Sequence, residues 1–319
     1  MAALAEGSGD RIDFRPVRRL ANPYAGASGD VVLVDSIAAA AVAPWGSPAQ
    51  PLAAIIHQPP GGIDAPRPLR AVQAALDRLL YRRCQLLIAA SEALGRELAA
   101  PRNKLPVDRI VVVPPGCDVA PPGSTRASDL RRGRRVALLS VGNWVERKGT
   151  LDLLAAFSRL PQDLATLHLA GRDDIDPSYA RRVRARMTSP DLVDRVEYHG
   201  PLAPDQIASL YAGADAFVLP SYREPYGTVY GEALAAGLPV IGWRAGNLPN
   251  LIDDGVEGVV VPTGDVVALA QALERLATDP AWQCRLSAAA AQRGARLPTW
   301  ADTTARVLRS LRELLHDAR

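Results

Sequence analysis

The sequence predicts an α/β fold in which parallel strands are covered by helices on both faces. Short runs of β-branched residues alternate with longer stretches of helical apolar spacing along most of the 319 residues, and this alternation is typical of parallel sheets with crossover helices. The strand candidates are apolar without interruption, as in IIH and LLIAA, which indicates burial on both faces. The length predicts two domains, and 48% apolar residues suffice for a sizeable core.

The individual elements follow from the same pattern, taken in chain order. Helical apolar spacing covers 69–83 and 92–100 in the first third of the chain, and it also follows each later strand. The last predicted helix covers 299–315. The predicted strands cover 31–34, 53–57, 86–90, 109–113, 136–141, 166–170, 196–199, 216–219, 239–242 and 258–261.

The stretch 114–135 interrupts the alternation. It contains PPG twice and then RRGRR, and its proline and glycine oppose both helix and strand. We therefore predict a first domain over 1–115, a linker over 116–135, a second domain over 136–298 and a C-terminal helical segment over 299–319. The arginine run is more typical of a solvated surface than of a binding site.

Composition excludes several classes of protein. A net charge of +3 argues against a dedicated nucleic-acid binder, although it leaves room for a local basic patch facing a phosphate or an anionic membrane surface. The three cysteines are far apart, as in free thiols of a reducing cytosol, and the four histidines show no zinc-binding spacing. The first residues do not resemble a secretory signal, and no apolar run is long enough to span a membrane. We expect a cytoplasmic protein, with peripheral contact at the inner face of the membrane left open.

The strongest chemical signal is AFVLPSYREPYGTVYGEALAAGLPVIGWRAG, from Ala216 to Gly246. It predicts a buried strand, a loop, a helix capped by Thr228 and ended by Gly237, and a further strand. A loop that leaves the carboxyl end of a parallel strand and enters a helix is where open α/β sheets bind ligands. The free amides and the positive helix end suit a diphosphate, and Gly227 lets the backbone approach it closely.

Two carboxylates belong to this segment, Glu224 in the loop and Glu232 about one turn into the helix. Carboxylates do not bind phosphate, but they accept hydrogen bonds from hydroxyl groups, and a nucleotide-sugar offers a hexose and a ribose. Two glutamates seven residues apart also occur by chance as ordinary surface acids. The combination with the loop and helix start is what makes the pattern specific.

PSYREPYGTVYGEALAAGLPV resembles the E-x7-E signature of a large family of retaining glycosyltransferases, the family 4-like glycosyl transferases group 1, which includes sucrose synthases and bacterial mannosyl- and glucosyltransferases. The resemblance implies the GT-B fold, two Rossmann-like domains facing a cleft, with a last helix that crosses back to the first domain. It also implies transfer of a hexose from a GDP-mannose or UDP-glucose type donor to the hydroxyl of a glycan, a lipid-linked or a small-molecule acceptor. This activity belongs to polysaccharide or glycolipid biosynthesis and uses no cofactor.

A second segment, LLSVGNWVERKGTLDLLAAF from Leu138, is similar to the family's G-R-x4-K-G stretch, whose arginine and lysine neutralise the donor diphosphate. Lys148 and Gly149 match this stretch. Asn143 stands where the family has arginine, and Arg147 is the candidate to replace it. No metal is required where lysine and arginine neutralise the diphosphate.

The resemblance extends, more weakly, over 53–277, and it implies a set of site residues. His57, in AAIIHQPPGG, follows a predicted strand as a family histidine does that faces the sugar; it is expected to hydrogen-bond the hexose and to support positive charge through its backbone carbonyl. The expected catalytic residues are His57, Glu224 and Lys148. The expected donor-binding residues are Gly142, Asn143, Arg147, Lys148, Leu202, Glu224, Pro225, Tyr226, Gly227, Thr228, Val229 and Glu232.

The chain departs from the family at its start. Members begin with a strand and a glycine-rich loop, whereas residues 1–30 fit no such unit and the strand at 31–34 resembles an interior one. Either the first domain is reduced or an N-terminal portion is missing. Two alternatives stay open: a catalytically weak or silent nucleotide-sugar-binding subunit, and a nucleotide-sugar 2-epimerase of the same fold. No G-x-G-x-x-G follows an early strand, which argues against a Rossmann oxidoreductase.

Overall fold

A computed structural model of the chain describes residues 11–17, 22–64, 67–117 and 127–317. The chain divides into two compact units. Unit 1 comprises Met1–Gly116 together with Pro298–Arg319, and unit 2 comprises Cys117–Leu297. Each unit contains a parallel sheet, so the predicted fold class is confirmed.

Unit 1 is built on a sheet whose described strands lie in the order β1-β2-β3-β4, all parallel. The strands are β1 (Val32–Asp35), β2 (Leu52–Ile56), β3 (Leu86–Ala89) and β4 (Ile110–Val112). The connecting helices are α1 (Ala39–Val42), α2 (Arg67–Tyr81) and α3 (Glu92–Ala99). Every residue of β3 is buried, as its uninterrupted apolar run predicts.

Unit 2 is built on a second sheet, with described strands in the order β10-β9-β8-β5-β6-β7, again all parallel. Its strands are β5 (Val136–Val141), β6 (Ala165–Ala170), β7 (Val196–Tyr198), β8 (Ala216–Val218), β9 (Val240–Trp243) and β10 (Gly258–Val261). Its helices are α4 (Thr150–Phe157), α5 (Pro177–Met187), α6 (Pro204–Gly213), α7 (Thr228–Ala235), α8 (Leu248–Leu251), α9 (Val266–Thr278) and α10 (Pro280–Gly294).

Both faces of the second sheet are covered, which explains why its strands carry no polar alternation. Leu138 of β5 belongs to an apolar cluster on one face together with Phe157 and Leu273. The next residue, Leu139, belongs to a cluster on the other face together with Leu234. Successive side chains of a strand point to opposite faces, so a strand buried on both sides must be apolar throughout.

The strand order of unit 2 places a topological switch between β5 and β8. From β5 the chain proceeds through β6 and β7 to one edge of the sheet, then returns to β8 and proceeds through β9 and β10 to the other. This is the order of the dinucleotide-binding fold. The loops after β5 and β8 diverge at the switch, and such folds bind ligands in the crevice that results.

The last helix, α11 (Trp300–Asp317), packs on unit 1. Val307 and Leu311 join an apolar cluster with Ala53 of β2 and Ile88 of β3. The Thr303 hydroxyl donates a hydrogen bond of 2.8 Å to the carbonyl oxygen of Pro114. In the described part of the chain, no helix combines the length and the apolarity that crossing a bilayer requires.

Most of the predicted elements are present, and the differences are at their ends. Each predicted strand is found within the described residues, displaced by one residue in several cases; β9, for example, begins at Val240 instead of 239 and ends at Trp243. The prediction that Thr228 caps its helix is wrong. Gly227 occupies the cap position with φ +84°, a left-handed conformation that favours glycine, and Thr228 is the first helical residue.

Gly294 of α10 should resist replacement by alanine, because an added Cβ would overlap the carbonyl oxygen of Leu234 in α7. We expect Gly294→Ala to cost about 1–3 kcal/mol of stability, as overpacking does. Gly231 of α7 is the matched control. An added Cβ there meets its nearest atom, Leu297 Cδ1, at 3.6 Å, which is an ordinary van der Waals contact. Gly231→Ala should therefore leave the free energy of unfolding unchanged or raise it by up to about 1 kcal/mol, because alanine has the higher helix propensity. Thermal and urea denaturation check both, and equal melting temperatures for the two variants would contradict the packing described.

Candidate functional site

The loop that follows β8 carries Glu224, and its backbone is held by the loop that follows β9. The amide of Asn247 donates a hydrogen bond of 2.9 Å to the carbonyl oxygen of Glu224. The Asn247 side-chain amide donates a second bond, of 3.1 Å, to the carbonyl oxygen of Tyr226. Gly246, with φ +59°, lies so close to the Glu224 backbone that a Cβ would overlap it. Two amide groups of Asn247 and the close approach of Gly246 thus fix the backbone around this glutamate.

The loop after β5 is attached to the loop after β8 across the switch point. The carbonyl oxygen of Arg147 accepts hydrogen bonds from the Tyr222 amide, at 2.8 Å, and from the Ser221 hydroxyl, at 3.1 Å. Gly149, with φ +69°, is pressed against the carbonyl oxygen of Pro220 and has no room for a Cβ. The 3-10 turn Glu146–Lys148 is therefore held against the segment that carries Glu224.

Lys148 and Glu224 form an ion pair at the switch point, in which the lysine Nζ donates to the glutamate Oε2. Their side chains are only 11% and 14% exposed, so the pair is well shielded from solvent. Arg147 Nη1 lies 3.8 Å from the same carboxylate oxygen and donates to the carbonyl oxygen of Arg223 at 3.3 Å. The end of the Lys148 side chain runs beside Gly142, with Cε 3.6 Å from where a Cβ would stand. Two cations and one carboxylate thus meet where two expected site segments converge.

Helix α7 begins beside this group. Gly227 caps it, and Thr228 and Val229 open its first turn, where amide groups have no acceptor within their own helix. The helix is tied to β8 by the Tyr230 hydroxyl, which donates to the carbonyl oxygen of Leu219 at 3.0 Å. Tyr226, just before the cap, is buried, and burial raises the pKa of Tyr226 to about 12. A fixed helix start, whose first amides point out of the helix, carries partial positive charge.

Glu232 lies on α7, half-buried, and is oriented by a tyrosine that the sequence patterns did not reveal. The Tyr211 hydroxyl, from α6, donates a hydrogen bond of 3.0 Å to Glu232 Oε2. Burial, reinforced by the neighbouring carboxylate of Glu232, raises the pKa of Tyr211, which therefore stays a neutral donor. Glu232 keeps a further oxygen with which to accept hydrogen bonds.

The remaining expected donor-binding residues lie in the loops after β5 and β7. Asn143 is exposed, and its Oδ1 accepts a hydrogen bond of 3.2 Å from the Arg172 amide in the loop after β6. Gly171, with φ +133°, sits against the carbonyl of Gly142, where a Cβ would overlap. Leu202 follows β7 and packs, partly buried, against the apolar cluster that contains Leu139. The structure thus joins Asn143 to the loop after β6, while Leu202 contributes an apolar surface.

His57 belongs to unit 1, where it directly follows β2. Its Nε2 lies 3.2 Å from Oδ2 of Asp35, the last residue of β1, and its backbone amide donates to the Ser36 hydroxyl at 3.1 Å. The hydrogen bond from His57 lowers the pKa of the Asp35 carboxyl, and the Ile37 amide adds to this. Strand pairing brings Asp35 and His57 together across 22 positions of sequence, which no local motif indicates.

The comparisons with known proteins agree with this geometry. Residues 135–279 match the family model described as Glycosyl transferases group 1. This part of the chain is therefore similar to the glycosyl transferases group 1 family. The predicted family resemblance is confirmed for the unit that carries Lys148, Glu224 and Glu232.

Curated proteins similar to this chain include two that are named D-inositol 3-phosphate glycosyltransferase. The one from Xylanimonas cellulosilytica is 32% identical over 239 residues, which cover 70% of this chain and 57% of the relative. The one from Frankia alni is 34% identical over 226 residues, covering 66% and 54%. The chain spans about half the length of the curated relatives it matches.

Solved structures show the same fold. The sucrose-phosphate synthase of Thermosynechococcus elongatus matches with a TM-score of 0.78 at 24% identity, over 92% of this chain and 76% of that one. HepE of Anabaena, in complex with UDP-glucose, matches with a TM-score of 0.74 at 20% identity, over 88% and 78%. Both likenesses identify the fold as GT-B, as the sequence predicts.

Replacing His57 by alanine should raise the pKa of the Asp35 carboxyl toward the ordinary aspartate value, because the hydrogen bond from His57 is the largest influence that lowers it. Stability from a carboxyl with a lowered folded-state pKa is present above its unfolded pKa and is lost as the pH falls through the folded pKa. In His57→Ala this contribution to stability should therefore be smaller, and its loss on acidification should end at a higher pH. An NMR titration of the Asp35 carboxyl carbon checks the shift, with His316→Ala on α11 as the control. An Asp35 titration that is the same in both variants would rule out the pairing.

Proposed function

We propose that this chain transfers a hexose from a nucleoside-diphosphate sugar, of the GDP-mannose or UDP-glucose type, to an acceptor hydroxyl with retention of anomeric configuration. One observation carries the proposal: the Lys148 ammonium and the Glu224 carboxylate meet at the β5–β8 switch, beside the start of α7. Strand order supplies the crevice, lysine supplies charge for a diphosphate, and glutamate supplies an acceptor for sugar hydroxyls. The GT-B structure of HepE, which was solved with UDP-glucose, supports the donor class.

The diphosphate is assigned to the positive side of this crevice. Lys148 and Arg147 supply full charges, and the amides from Tyr226 to Val229 supply the partial charge of a helix start. Arg147 stands in for the arginine that the family has at the position of Asn143, since its guanidinium lies 3.8 Å from Glu224. Negative charge grows on the diphosphate as the glycosidic bond breaks, so these donors stabilise the transition state more than the ground state.

The two glutamates are assigned to the sugars on either side of the diphosphate. Glu224 accepts hydrogen bonds from hexose hydroxyls, and Glu232 accepts them from the ribose. Tyr211 holds the Glu232 carboxylate from one side and leaves its remaining lone pairs available. Donor binding therefore requires Lys148 to exchange Glu224 for phosphate, which frees the carboxylate for the hexose.

His57 is assigned to the hexose from unit 1. If Asp35 accepts the proton on Nε2, the His57 ring keeps Nδ1 as an acceptor for a sugar hydroxyl. Its backbone carbonyl is assigned to the positive charge that develops at the anomeric carbon. Asp35 is a positioning residue in this scheme, because it sets the tautomer and the orientation of the ring.

Retention is assigned to attack on the face from which the diphosphate departs. The bond between the anomeric carbon and the phosphate oxygen breaks, and the acceptor oxygen forms its bond on the same face. The acceptor proton goes to the departing phosphate oxygen, so no protein nucleophile is involved. The acceptor is the hydroxyl of a glycan, a lipid-linked or a small molecule; the names of the curated relatives make inositol 3-phosphate the first compound to assay.

A thermal-shift panel with UDP-glucose, UDP-N-acetylglucosamine and GDP-mannose tests donor binding, since a ligand of the folded state raises the melting temperature. Transfer is then assayed with the donor that binds, with and without acceptor. Product formed only with acceptor supports the transferase. Conversion of the donor to its 2-epimer without acceptor would instead identify an epimerase, and tight binding with neither reaction would identify a silent binding subunit.

Lys148→Met should lower kcat by about 10²–10³-fold, as loss of one oxyanion-stabilising donor does, with a smaller change in donor affinity. Methionine keeps the apolar stem beside Gly142 and removes the charge. The matched control is Lys104→Met, which changes the one other lysine of the sequence, an exposed one in unit 1. Steady-state kinetics with saturating donor separate the variants. Equal kcat in both would remove Lys148 from the site.

Glu232→Gln should weaken donor affinity by about 10-fold or more, because a hydrogen bond to a charged group is worth roughly 1.5–3 kcal/mol. Glutamine still accepts the bond from the Tyr211 hydroxyl, so the helix should stay in place. Glu274→Gln, on the exposed face of α9, is the control. Isothermal titration with donor and with free UDP or GDP checks the assignment. The loss should be the same for both ligands if Glu232 binds ribose, whereas a loss confined to the donor would assign it to the hexose.

A further inference from the structure

A second polar cluster lies in unit 2, away from the loops after β5 and β8. The histidines are scattered along the sequence and show no metal-binding spacing, but pairing of β6 with β7 brings two of them together. His168 Nδ1 lies 3.0 Å from His199 Nε2 and 3.5 Å from Glu197 Oε2. The three potential ligand atoms all lie within 4.8 Å of one another. His168 is buried, while Glu197 and His199 are half-buried and reachable from solvent.

The hydrogen bonds of His168 orient it as a ligand. Its Nε2 lies 2.8 Å from the carbonyl oxygen of Leu130, which accepts a second bond of 2.7 Å from the Thr166 hydroxyl. A carbonyl cannot donate, so Nε2 carries the proton, and in the neutral ring Nδ1 presents a lone pair toward His199. Metal-binding histidines almost always donate their other ring N–H to a carbonyl or a carboxylate in this manner.

The two imidazoles face each other end to end. The two ring planes are inclined by 23°. The ring centres are 5.2 Å apart and the facing nitrogens are 3.0 Å apart, as expected when each ring directs its nitrogen at the nitrogen of the other. Tetrahedral zinc at about 2.0–2.1 Å from nitrogen holds its ligand atoms about 3.3 Å apart. The separations of 3.0 Å and 3.5 Å lie on either side of this value. Coordination therefore requires shifts of a few tenths of an ångström in these two separations, a rotation of the His199 ring that turns its lone pair from His168 toward the ion, and an approach of Glu197 to His199, which now lie within 4.8 Å.

The charges of the cluster also suit a cation. Glu197 supplies one negative charge. It forms an ion pair with Arg132, whose Nη2 lies 2.6 Å from Glu197 Oε2. Arg132 is about half exposed, so its side chain has room to leave the carboxylate.

We infer that His168, Glu197 and His199 bind a divalent transition-metal ion such as Zn²⁺, which links β6 to β7. Imidazole and carboxylate ligands select ions of this class over Mg²⁺, which prefers oxygen. On binding, the proton of His199 Nε2 moves through solvent to Nδ1 of the same ring, so Nε2 becomes a ligand without net proton release. Three protein ligands leave a coordination position for water. The inference does not depend on the proposed transferase activity, because none of the three residues is assigned to the donor.

The test measures Zn²⁺ binding to the full chain after treatment with chelator, by isothermal titration at pH 7, with Mg²⁺ titrated in parallel. Wild-type protein should bind one equivalent of Zn²⁺ and no Mg²⁺. His199→Gln and Glu197→Gln, both at half-buried positions, should lose at least 10-fold in affinity while keeping the wild-type circular dichroism spectrum. His57→Ala and His316→Ala change the two histidines outside the cluster and should bind as wild type does.

Arg132→Gln is the second arm of the test. Because Arg132 competes for Glu197 Oε2, its removal should tighten Zn²⁺ binding several-fold. Unchanged or weaker affinity in Arg132→Gln would overturn the assignment of Glu197 as a ligand. Absence of binding in the wild type would overturn the site, and so would retention of full affinity in His199→Gln or its loss in His57→Ala.

Discussion

The close approach of two backbone segments at the β5–β8 switch is the constraint on which the candidate site depends. The carbonyl of Arg147 receives two donors from the loop after β8, and Gly149 allows the chain to lie directly against Pro220. Main-chain hydrogen bonds and the lack of a Cβ therefore determine where Lys148 stands relative to Glu224. Side-chain entropy is lost only over the few bonds between each backbone and its charged end, so the attraction between the two charges is left to offset the cost of shielding both from water.

Elements of the fold were predictable wherever one physical cause dominated the sequence. Strands buried on both faces must be apolar, so each run such as VALLSV or GVVV is recognisable without its neighbours. Their ends were less predictable, because Trp243 is fully buried as the last residue of β9 although its turn-like neighbours suggest a loop. The prediction that Thr228 caps α7 was wrong for a related reason. Threonine and glycine are comparable caps in general, but the chain turns at Gly227 through a left-handed conformation that favours glycine, so the cap lies at Gly227 and Thr228 is the first helical residue.

Site residues were predictable when they share one contiguous motif, as Glu224 and Glu232 do. Their partners were not, because these come from elsewhere in the chain: Tyr211 lies 21 positions before Glu232, and His168 lies 31 before His199. Such contacts depend on strand order and on register, here the alignment of His168 with Glu197 across β6 and β7. Hydrophobic periodicity indicates that a strand exists, but it carries no information about which neighbour the strand takes or at what offset.

The ion pair between Lys148 and Glu224 has a consequence for which anions the crevice accepts. An anion that approaches Lys148 competes with a carboxylate attached to the same protein, and attachment gives that carboxylate a high effective concentration. A small monovalent anion such as chloride or acetate gains one contact, displaces another of the same charge and lacks the effective concentration of the attached carboxylate, so the exchange favours the carboxylate. A polyvalent anion that also reaches Arg147 gains more than it displaces. The Glu224 carboxylate therefore competes with any incoming anion for Lys148. Monovalent anions, which are abundant in cells, do not displace it, whereas an anion of higher charge that also contacts Arg147 does.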